Sequence, residues 1–333
     1  MKAVVLHSEI SDGAGEDEQD VLVQVESVSE ALEAMGCRIV AMPFSSDLGS
    51  MMVRLRADRP DFVFNLVETV EGSGRFIHFA PSLLDHLAIP YTGSSTEALF
   101  TTSNKLLAKK MLQSSGVRTP QWFSADDLKR NKPAVEGNFI VKSIWEHASI
   151  GLDDASVVCA GSFGDLAREI ESRREKLGGD CFAEAYIEGR EFNLSLLAGE
   201  NGPDILPPAE IRFDRFPAGK RKLVGYRAKW STGSFEYQNT PRCFDFSADE
   251  EPLIRRLRDI AGECWRIFGL RGYARVDFRV DDAGVAWVLE INANPCLSPD
   301  AGFFAASKEM GLHYREVVRR IVEGSICSIN LLS

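Results

Sequence analysis

The chain has 333 residues, of which 44% are hydrophobic and 26% are charged, a composition typical of a globular enzyme with two or three domains. Its net charge of −11 at pH 7 argues against binding to nucleic acid or to an anionic membrane, because both depend on a basic surface. An anionic ligand therefore needs a local group of cations.

The N-terminal sequence and the cysteines predict a cytoplasmic protein. The chain opens directly in the short apolar strand MKAVVLH, without the pattern of a secretory signal, and no apolar run approaches the length of a membrane span. The 7 cysteines are widely spread and include no CxxC pair. We interpret them as reduced thiols rather than as disulfides or zinc ligands.

The first hundred residues alternate strand and helix. KAVVLH, CRIVAMPF and DFVFNLVE are predicted strands, and VLVQVESVSEALEAMG is a predicted helix ending at Gly36. This βαβ pattern predicts an α/β fold with an open parallel sheet, as a first domain over residues 1–100. The acidic segment SDGAGEDEQD, before the helix, lacks the third glycine of a dinucleotide fingerprint. It is interpreted as a solvated charged loop.

Two further domains of α+β character follow, over residues 101–187 and 188–333. A helix from about Thr102 to Ser115, ended by Gly116, leads into the second domain. The third contains a long basic connector from about Ile211 to Pro241. Structureless connectors of this length are often functional lids, and we predict that role here.

Two lysines and a small-residue loop are candidates for binding a polyphosphate. Lys142 ends the predicted strand FIVK, with Ser149 and Gly151 shortly after it, and Lys105 lies in the first turn of its helix. An ammonium group and backbone N–H groups together can hold phosphate oxygens. Taken alone, each lysine also has an ordinary interpretation, in which its aliphatic stem covers apolar surface and its ammonium group lies in water.

Two glutamates are candidates for binding the rest of a nucleotide. Glu184 lies in the strand CFAEAYIEG and Glu191 follows at its exit. The free backbone groups of a strand edge can pair with an adenine ring, and a carboxylate seven residues further on can accept both ribose hydroxyls. Ordinary surface charge is the alternative for each glutamate.

The segment YARVDFRVDDAGVAWVLEINANP predicts a hairpin with acids on one face. Alternation buries the valines and Phe278 of the first strand, so Arg275, Asp277 and Arg279 share the opposite face. With a turn centred on Asp282 and Ala283, Arg275 lies opposite Glu290, and Asp277 lies one diagonal step from Glu290.

The carboxylates of Asp277 and Glu290 and the amide of Asn292 form an all-oxygen cluster. Such a cluster suits Mg²⁺, with Mn²⁺ as an alternative, when phosphate oxygens complete the coordination. Arg275 would then place a fixed positive charge where negative charge develops on oxygen. A solvated hairpin face with ordinary ion pairs is the competing interpretation.

Taken together and in order, the motifs resemble the ATP-grasp superfamily and, within it, the D-alanine:D-alanine ligase branch. The resemblance covers nearly the whole chain and rests on FNLVE, IPYTGSS, SNKLLAKKML, FIVKS, ASIG, FAEAYIEGRE, RAKW, ARVDF and LEINANP. It implies a three-domain ATP-grasp architecture, with the nucleotide held between two α+β domains. It also implies ATP and Mg²⁺ as cofactors, a homodimer, and an amide-forming reaction through an acyl phosphate.

The resemblance also implies roles for individual residues. The two lysines are similar to those that hold ATP phosphates, Ser149 and Gly151 to the loop that closes over them, and Lys229 to the lid lysine near the γ-phosphate. The nucleotide residues implied are Lys105, Lys142, Ser149, Gly151, Glu184, Ala185, Ile187 and Glu191. The catalytic residues implied are Arg275 and Lys229, and the metal ligands implied are Asp277, Glu290 and Asn292.

The departures from the family pattern fall on the amino-acid side of the site. The GGxSxE signature is replaced by HSEISDGAGEDEQD, a histidine by Glu68, and the serine that seats the second carboxylate by Ala301. We therefore expect small-molecule carboxylate and amine substrates other than D-alanine. Two alternatives stay open for Glu68: it recognises a cationic amine together with the acidic segment, or it caps a turn.

Three other functions compete with this expectation. They are a genuine D-alanine:D-alanine ligase, a nucleotide-binding module without turnover, and a nicotinamide-dependent oxidoreductase. The oxidoreductase lacks its glycine fingerprint.

Overall fold

The computed structural model describes residues 1–10, 15–130, 135–146, 149 and 151–326. The first elements are β1 (Lys2–Ser8), α1 (Glu16–Glu33), β2 (Arg38–Phe44), α2 (Leu48–Asp58), β3 (Phe62–Leu66) and α3 (Phe79–Leu87). Their strands pair in parallel in the order β2-β1-β3. This confirms the predicted open parallel sheet, whose central strand β1 is almost entirely buried.

Helix α1 begins earlier than predicted. The acidic segment was interpreted as a loop, but its residues from Glu16 onward are helical, and Gly15 is the N-cap. Carboxylates are favourable near a helix N-terminus because the helix dipole is positive there, so an acidic sequence is compatible with a helix start. Asp20 and Gln24 therefore lie one helical turn apart. The part of the acidic segment before Gly15 falls outside the described residues.

The helix predicted from about Thr102 to Ser115 is two helices, α4 (Thr96–Ser103) and α5 (Lys105–Ser114). Asn104 separates them with an extended backbone, and its side-chain oxygen accepts a hydrogen bond from the Leu107 N–H at 3.0 Å. An N-cap of this kind satisfies an unpaired donor of the first helical turn. The new start places Lys105 at the first position of α5.

The second sheet is antiparallel and has its own core. Its elements are β4 (Trp122–Ser124), α6 (Ala125–Arg130), β5 (Gly137–Ser143), β6 (Val157–Ala160), α7 (Phe163–Arg173) and β7 (Cys181–Ala185), with strand order β4-β7-β5-β6. Leu166 of α7 belongs to the same apolar cluster as Phe139 and Ala183 of the sheet.

The third sheet is also antiparallel. Its elements are β8 (Arg190–Gly199), β9 (Gly202–Ile205), β10 (Ala209–Ile211), α8 (Tyr226–Trp230), α9 (Phe235–Gln238), β11 (Arg242–Cys243), α10 (Glu251–Ile267), β12 (Tyr273–Val280), β13 (Ala286–Asn292), α11 (Gly302–Glu309) and α12 (Tyr314–Ser325). The strand order is β11-β10-β8-β12-β13, with β9 paired to β8. A parallel sheet followed by two antiparallel sheets confirms the α/β class with α+β character in the later part.

The hairpin β12-β13 forms as predicted, but its register was wrong. Asp277 lies directly opposite Glu290 and Arg275 lies opposite Asn292. The predicted turn was too short, because residues 281–285 form the loop between Val280 and Ala286. A β-bulge next to Asp277 then shifts the pairing by one more residue. The observed register brings the carboxylates of Asp277 and Glu290 closer together than the predicted diagonal arrangement would.

The connector from Ile211 to Pro241 is not structureless, because it contains α8 and α9. It also contacts the loop after β5: the Tyr226 N–H donates to the Leu152 carbonyl at 3.2 Å, and Ser149 Oγ donates to the Val224 carbonyl at 2.9 Å. The role of the connector as a lid stays a prediction. If it is a lid, the loop after β5 is the surface on which it would close.

The first and last parts of the chain share one core. Val28 and Phe62 from the first sheet belong to the same apolar cluster as Leu197, Tyr273 and Ile321. Helices α1 and α12 pack together here. Domain boundaries at 100 and 187 stay a prediction.

Candidate active site

A cavity of about 960 Å³ lies where the second and third sheets face each other, and it extends to α1 and to the segment after β3. Among the residues singled out from the sequence, Gly151 does not contribute to its wall. The others all do: Glu68, Lys105, Lys142, Ser149, Glu184, Ala185, Ile187, Glu191, Lys229, Arg275, Asp277, Glu290 and Asn292. Residues far apart in the sequence are therefore gathered around one space large enough for a nucleotide and small substrates.

The hairpin supplies the acidic wall of the cavity. The Arg275 guanidinium makes a bidentate pair with Asp277, at 2.7 Å from Nε and 2.8 Å from Nη2. Asn193 on the neighbouring strand β8 also donates to Asp277, at 2.8 Å. Burial alone would lower the pKa of Arg275, but Asp277 and then Glu290 raise it. Arg275 therefore stays charged beside both carboxylates.

The donor set of this wall fits a hard divalent cation. Asp277 and Glu290 are cross-strand partners, and Asn292 follows on the same face of β13. Within the described ranges, no three His, Cys, Asp or Glu side chains are grouped as a metal centre. Two carboxylates and one amide are still the small oxygen set that Mg²⁺ takes when phosphates provide the remaining ligands.

Two lysines reach the cavity from different elements. Lys105 is buried at the start of α5, where its Nζ donates to the Glu146 carbonyl at 2.6 Å. Burial lowers its pKa, while Glu290 opposes that shift. Lys142 on β5 pairs with the carboxylate of Glu184. The ammonium groups thus face the acidic wall and lie beside the strand β7.

Glu184 is fully buried and is shared by two cations. Lys109 Nζ lies 2.5 Å from its Oε2, and Lys142 contacts its Oε1. Burial alone would raise the pKa of Glu184, but these two ammonium groups hold it below its ordinary value. Lys109 was not predicted, although it lies one helical turn after Lys105 on the same face of α5, which is a signal the sequence contained.

Glu191 is the next carboxylate along the cavity. It is buried at the start of β8, with Oε2 2.8 Å from Arg279 on β12. Arg279, singled out only by its place on the hairpin face, also donates to the Gly189 carbonyl at 3.0 Å. Ala185 and Ile187 line the same stretch of wall.

The connector covers the cavity on another side. Lys229 on α8 lines the wall, and burial lowers its pKa, with the nearby Arg275 charge acting in the same direction. Ser149 lines the wall with a left-handed backbone at φ 61°. Gly151 has φ +70°, and a methyl group there would lie 2.6 Å from Leu177, so the position favours glycine. Its role in the loop that closes over the phosphates stays a prediction. Ala148 and Ile150 of this loop lie outside the described residues.

At the far end of the cavity, two side chains of α1 take part in a hydrogen-bond network. Gln24 Nε2 donates to Glu68 at 3.0 Å, and Asp20 accepts from Ser298 Oγ at 2.6 Å and from Cys296 Sγ at 3.0 Å. Burial and the Glu68 and Asp20 charges raise the pKa of Cys296, so its thiol stays protonated. The partners of Asp20 and Gln24 were missed, because Glu68 and Ser298 lie far from them in the sequence.

Comparisons with known proteins agree with this geometry. The sequence model of the family described as D-ala D-ala ligase C-terminus matches residues 114–323. An uncharacterized protein of Sinorhizobium fredii is 32% identical over 78% of this chain and 73% of its own length. A D-alanine–D-alanine ligase of Aquifex aeolicus is 26% identical over 97% of this chain and 100% of its own.

The fold is also that of a solved structure. A D-alanine–D-alanine ligase from Bacillus anthracis, crystallised in complex with ATP, superposes with a TM-score of 0.70 at 20% identity, over 98% of each chain. The three sheets and the cavity thus define an ATP-grasp ligase, a class that joins carbon to nitrogen.

More narrowly, the chain belongs to the D-alanine–D-alanine ligase family. It is an ATP-dependent carboxylate–amine ligase of that type. None of the helices in the described part of the chain has the length and apolar character that a bilayer crossing requires.

Proposed function

We propose that this protein forms an amide or peptide bond between a carboxylate and an amine through an acyl phosphate, with a substrate pair other than two D-alanines. The observation that carries this proposal is the gathering of Lys105, Lys142, Lys229, Arg275 and the Asp277–Glu290 pair around one cavity. Cations for phosphate and oxygen ligands for a metal are the two requirements of phosphoryl transfer from ATP.

The nucleotide would lie between the second and third sheets. The ammonium groups of Lys105 and Lys142 hold its phosphates, with Ser149 in the covering loop. Glu184, Ala185 and Ile187 border the adenine, and Glu191 accepts the ribose hydroxyls. Arg279 supports this assignment, because its ion pair with Glu191 fixes that carboxylate at the cavity wall.

Asp277, Glu290 and Asn292 would hold Mg²⁺, or Mn²⁺ in its place. When bound, the metal would offset negative charge on the phosphate oxygens. Asn193 would orient Asp277 for this task, since it donates to the carboxylate. Arg275 would compete with the metal, since it donates to both oxygens of the same carboxylate.

The reaction has two steps. A carboxylate oxygen of the first substrate attacks the γ-phosphorus of ATP, the bond to ADP breaks, and an acyl phosphate forms. The amine then attacks the acyl carbon, phosphate leaves, and the nitrogen loses a proton. Arg275 stabilises the oxyanion that develops in the second step, and Lys229 approaches the transferred phosphoryl group.

The connector would exclude water during these steps. An acyl phosphate exposed to water hydrolyses without forming product, so a covered site is needed. The hydrogen bonds that join Tyr226 to Leu152 and Ser149 to Val224 support this role, because they join the connector to the loop near the phosphates.

Glu68 would recognise the ammonium group of a substrate. It lines the end of the cavity and is held by Gln24 of α1. Ala301, at the same end, offers no hydroxyl to a substrate carboxylate. Both residues support a substrate pair that differs from D-alanine.

The test is a screen for ADP release over pairs of amino acids and amines, with detection of the product by mass. We expect a pair that yields ADP and an amide in equal amounts. Absence of turnover with every pair, together with binding of ATP, would favour a nucleotide-binding module and overturn the proposal.

A genuine D-alanine–D-alanine ligase is the second candidate, because the Aquifex aeolicus protein of that name aligns over nearly the whole chain. Phosphate release stimulated by D-alanine alone would favour it. A homodimer and a cytoplasmic location are further proposals, which light scattering and cell fractionation would test.

A further inference from the structure

Lys109 is the most deeply buried cation near the proposed nucleotide site. It is 1% exposed and does not line the cavity. Its Nζ lies 2.5 Å from Glu184, donates to Thr119 Oγ1 at 2.7 Å, and lies 5.8 Å from the centre of the Trp122 ring. A ligand in the cavity therefore cannot contact Lys109, and any effect of Lys109 on that ligand must pass through Glu184 or through the fold.

The charges of this group do not cancel. Glu184 carries one negative charge, and Lys109 and Lys142 carry two positive charges around it. The surplus of one positive charge is available only at Lys142, because this lysine, unlike Lys109, reaches the cavity. Without Lys109, the Glu184 carboxylate would neutralise Lys142 completely. Inside a protein such a pair is strong, since the surrounding dielectric is low.

We infer that Lys109 is a positioning residue for nucleotide binding: it balances Glu184 from behind, so that the Lys142 ammonium stays available to an anionic phosphate. The inference rests on the proposed function, since the anion is a phosphate of ATP. It adds a residue that lies outside the cavity and explains how the charge of the buried Glu184 is balanced. Burial excludes water from Glu184, so its charge must be balanced by protein groups.

The primary experiment measures the affinity of the non-hydrolysable ATP analogue AMPPNP, with Mg²⁺, by calorimetry. We expect Lys109→Met to weaken binding about tenfold or more, since it removes the positive surplus that a charge-assisted phosphate contact requires. Lys110→Met is the matched control, because Lys110 is the exposed neighbour on the same helix and loses the same charge. The control should change the affinity less than threefold.

A second pair of variants tests the route through Glu184. In a Glu184→Gln background, Lys109→Met should change the affinity less than threefold, because no carboxylate is left to neutralise Lys142. This comparison avoids an unbalanced buried carboxylate and can therefore overturn the inference even if Lys109→Met alone does not fold. A tenfold loss in this background would overturn the inference, as would wild-type affinity in folded Lys109→Met.

The outcomes separate the inference from the proposed function. Failure of the wild-type protein to bind AMPPNP would contradict the proposed function itself. Tight binding by the wild-type protein and equally tight binding by Lys109→Met would contradict only the role of Lys109.

Discussion

Replacing Arg275 with methionine should slow catalysis without weakening the metal site. Arg275 faces the proposed reaction centre and is held by the bidentate contact with Asp277, at 2.7 and 2.8 Å. Loss of one donor that stabilises a developing oxyanion typically costs about 10²- to 10³-fold in kcat, or about 2.7–4 kcal/mol. We expect a loss of that size in Arg275→Met.

The apparent affinity for Mg²⁺ should increase or stay unchanged in Arg275→Met. Asp277 loses a competing cation in this variant and keeps the neutral donor Asn193, at 2.8 Å. The carboxylate is then more available to a metal.

The assay is steady-state ADP release, with kcat and the Mg²⁺ dependence measured for each variant. Arg255→Met is the control, because Arg255 is an exposed arginine on α10 that pairs with the exposed Glu251 at 3.8 Å. An unchanged kcat in Arg275→Met would refute the oxyanion role. A large loss of Mg²⁺ affinity would refute our view that Arg275 competes with the metal.

Three other perturbations test the lid and the substrate end. Because burial and Arg275 lower the pKa of Lys229, its ammonium is lost at a lower pH than that of an ordinary lysine. Activity should therefore fall as the pH rises, and Lys229→Arg should extend activity to higher pH; an identical alkaline limb would contradict this. A methyl group at Gly225 would lie 2.5 Å from the Leu152 carbonyl, so Gly225→Ala should weaken closure by about 1–3 kcal/mol and raise KM for ATP. Gly233→Ala, which meets open space, should leave KM unchanged, and equal effects of the two variants would count against a lid. Glu68→Gln should raise KM for the substrate with the ammonium group about tenfold and leave KM for ATP unchanged, whereas no change in either would favour a turn cap.

The strands of the first sheet and of the hairpin could be predicted from local signals, whereas the set of cavity residues was implied by the family resemblance of the ordered motifs. Strand alternation identified β12 and β13, and it placed Lys142 at the end of one strand and Glu184 in another. The alternation of apolar and polar residues agrees with the structure because one face of each strand is buried.

The register of the hairpin could not be predicted from the same signals. It depends on the five-residue span from Asp281 to Val285 and on a bulge beside Asp277, and neither changes the apolar alternation near the turn enough to be recognised. One extra residue in the loop or at the bulge changes which residues lie opposite each other. The pairing of Asp277 with Glu290 could therefore be seen only in the structure.

The partners of the buried charges could not be predicted from the sequence either. Lys109 and Lys142 come from different elements, and nothing in their spacing shows that they share Glu184. The same holds for Asp20, which reaches Ser298 across 278 positions of sequence separation. Long-range packing decides such contacts, whereas local propensity decides helices and strands.

The most direct test of the account is Mg²⁺-dependent ADP release by an Asp277→Asn and Glu290→Gln double variant. The substitutions keep the size of both side chains and remove the two charges that the proposed metal requires, so the protein should stay folded by circular dichroism. We predict that turnover is abolished and that added Mg²⁺ does not restore it. Turnover close to that of the unmodified protein would contradict the proposed metal site and the mechanism built on it.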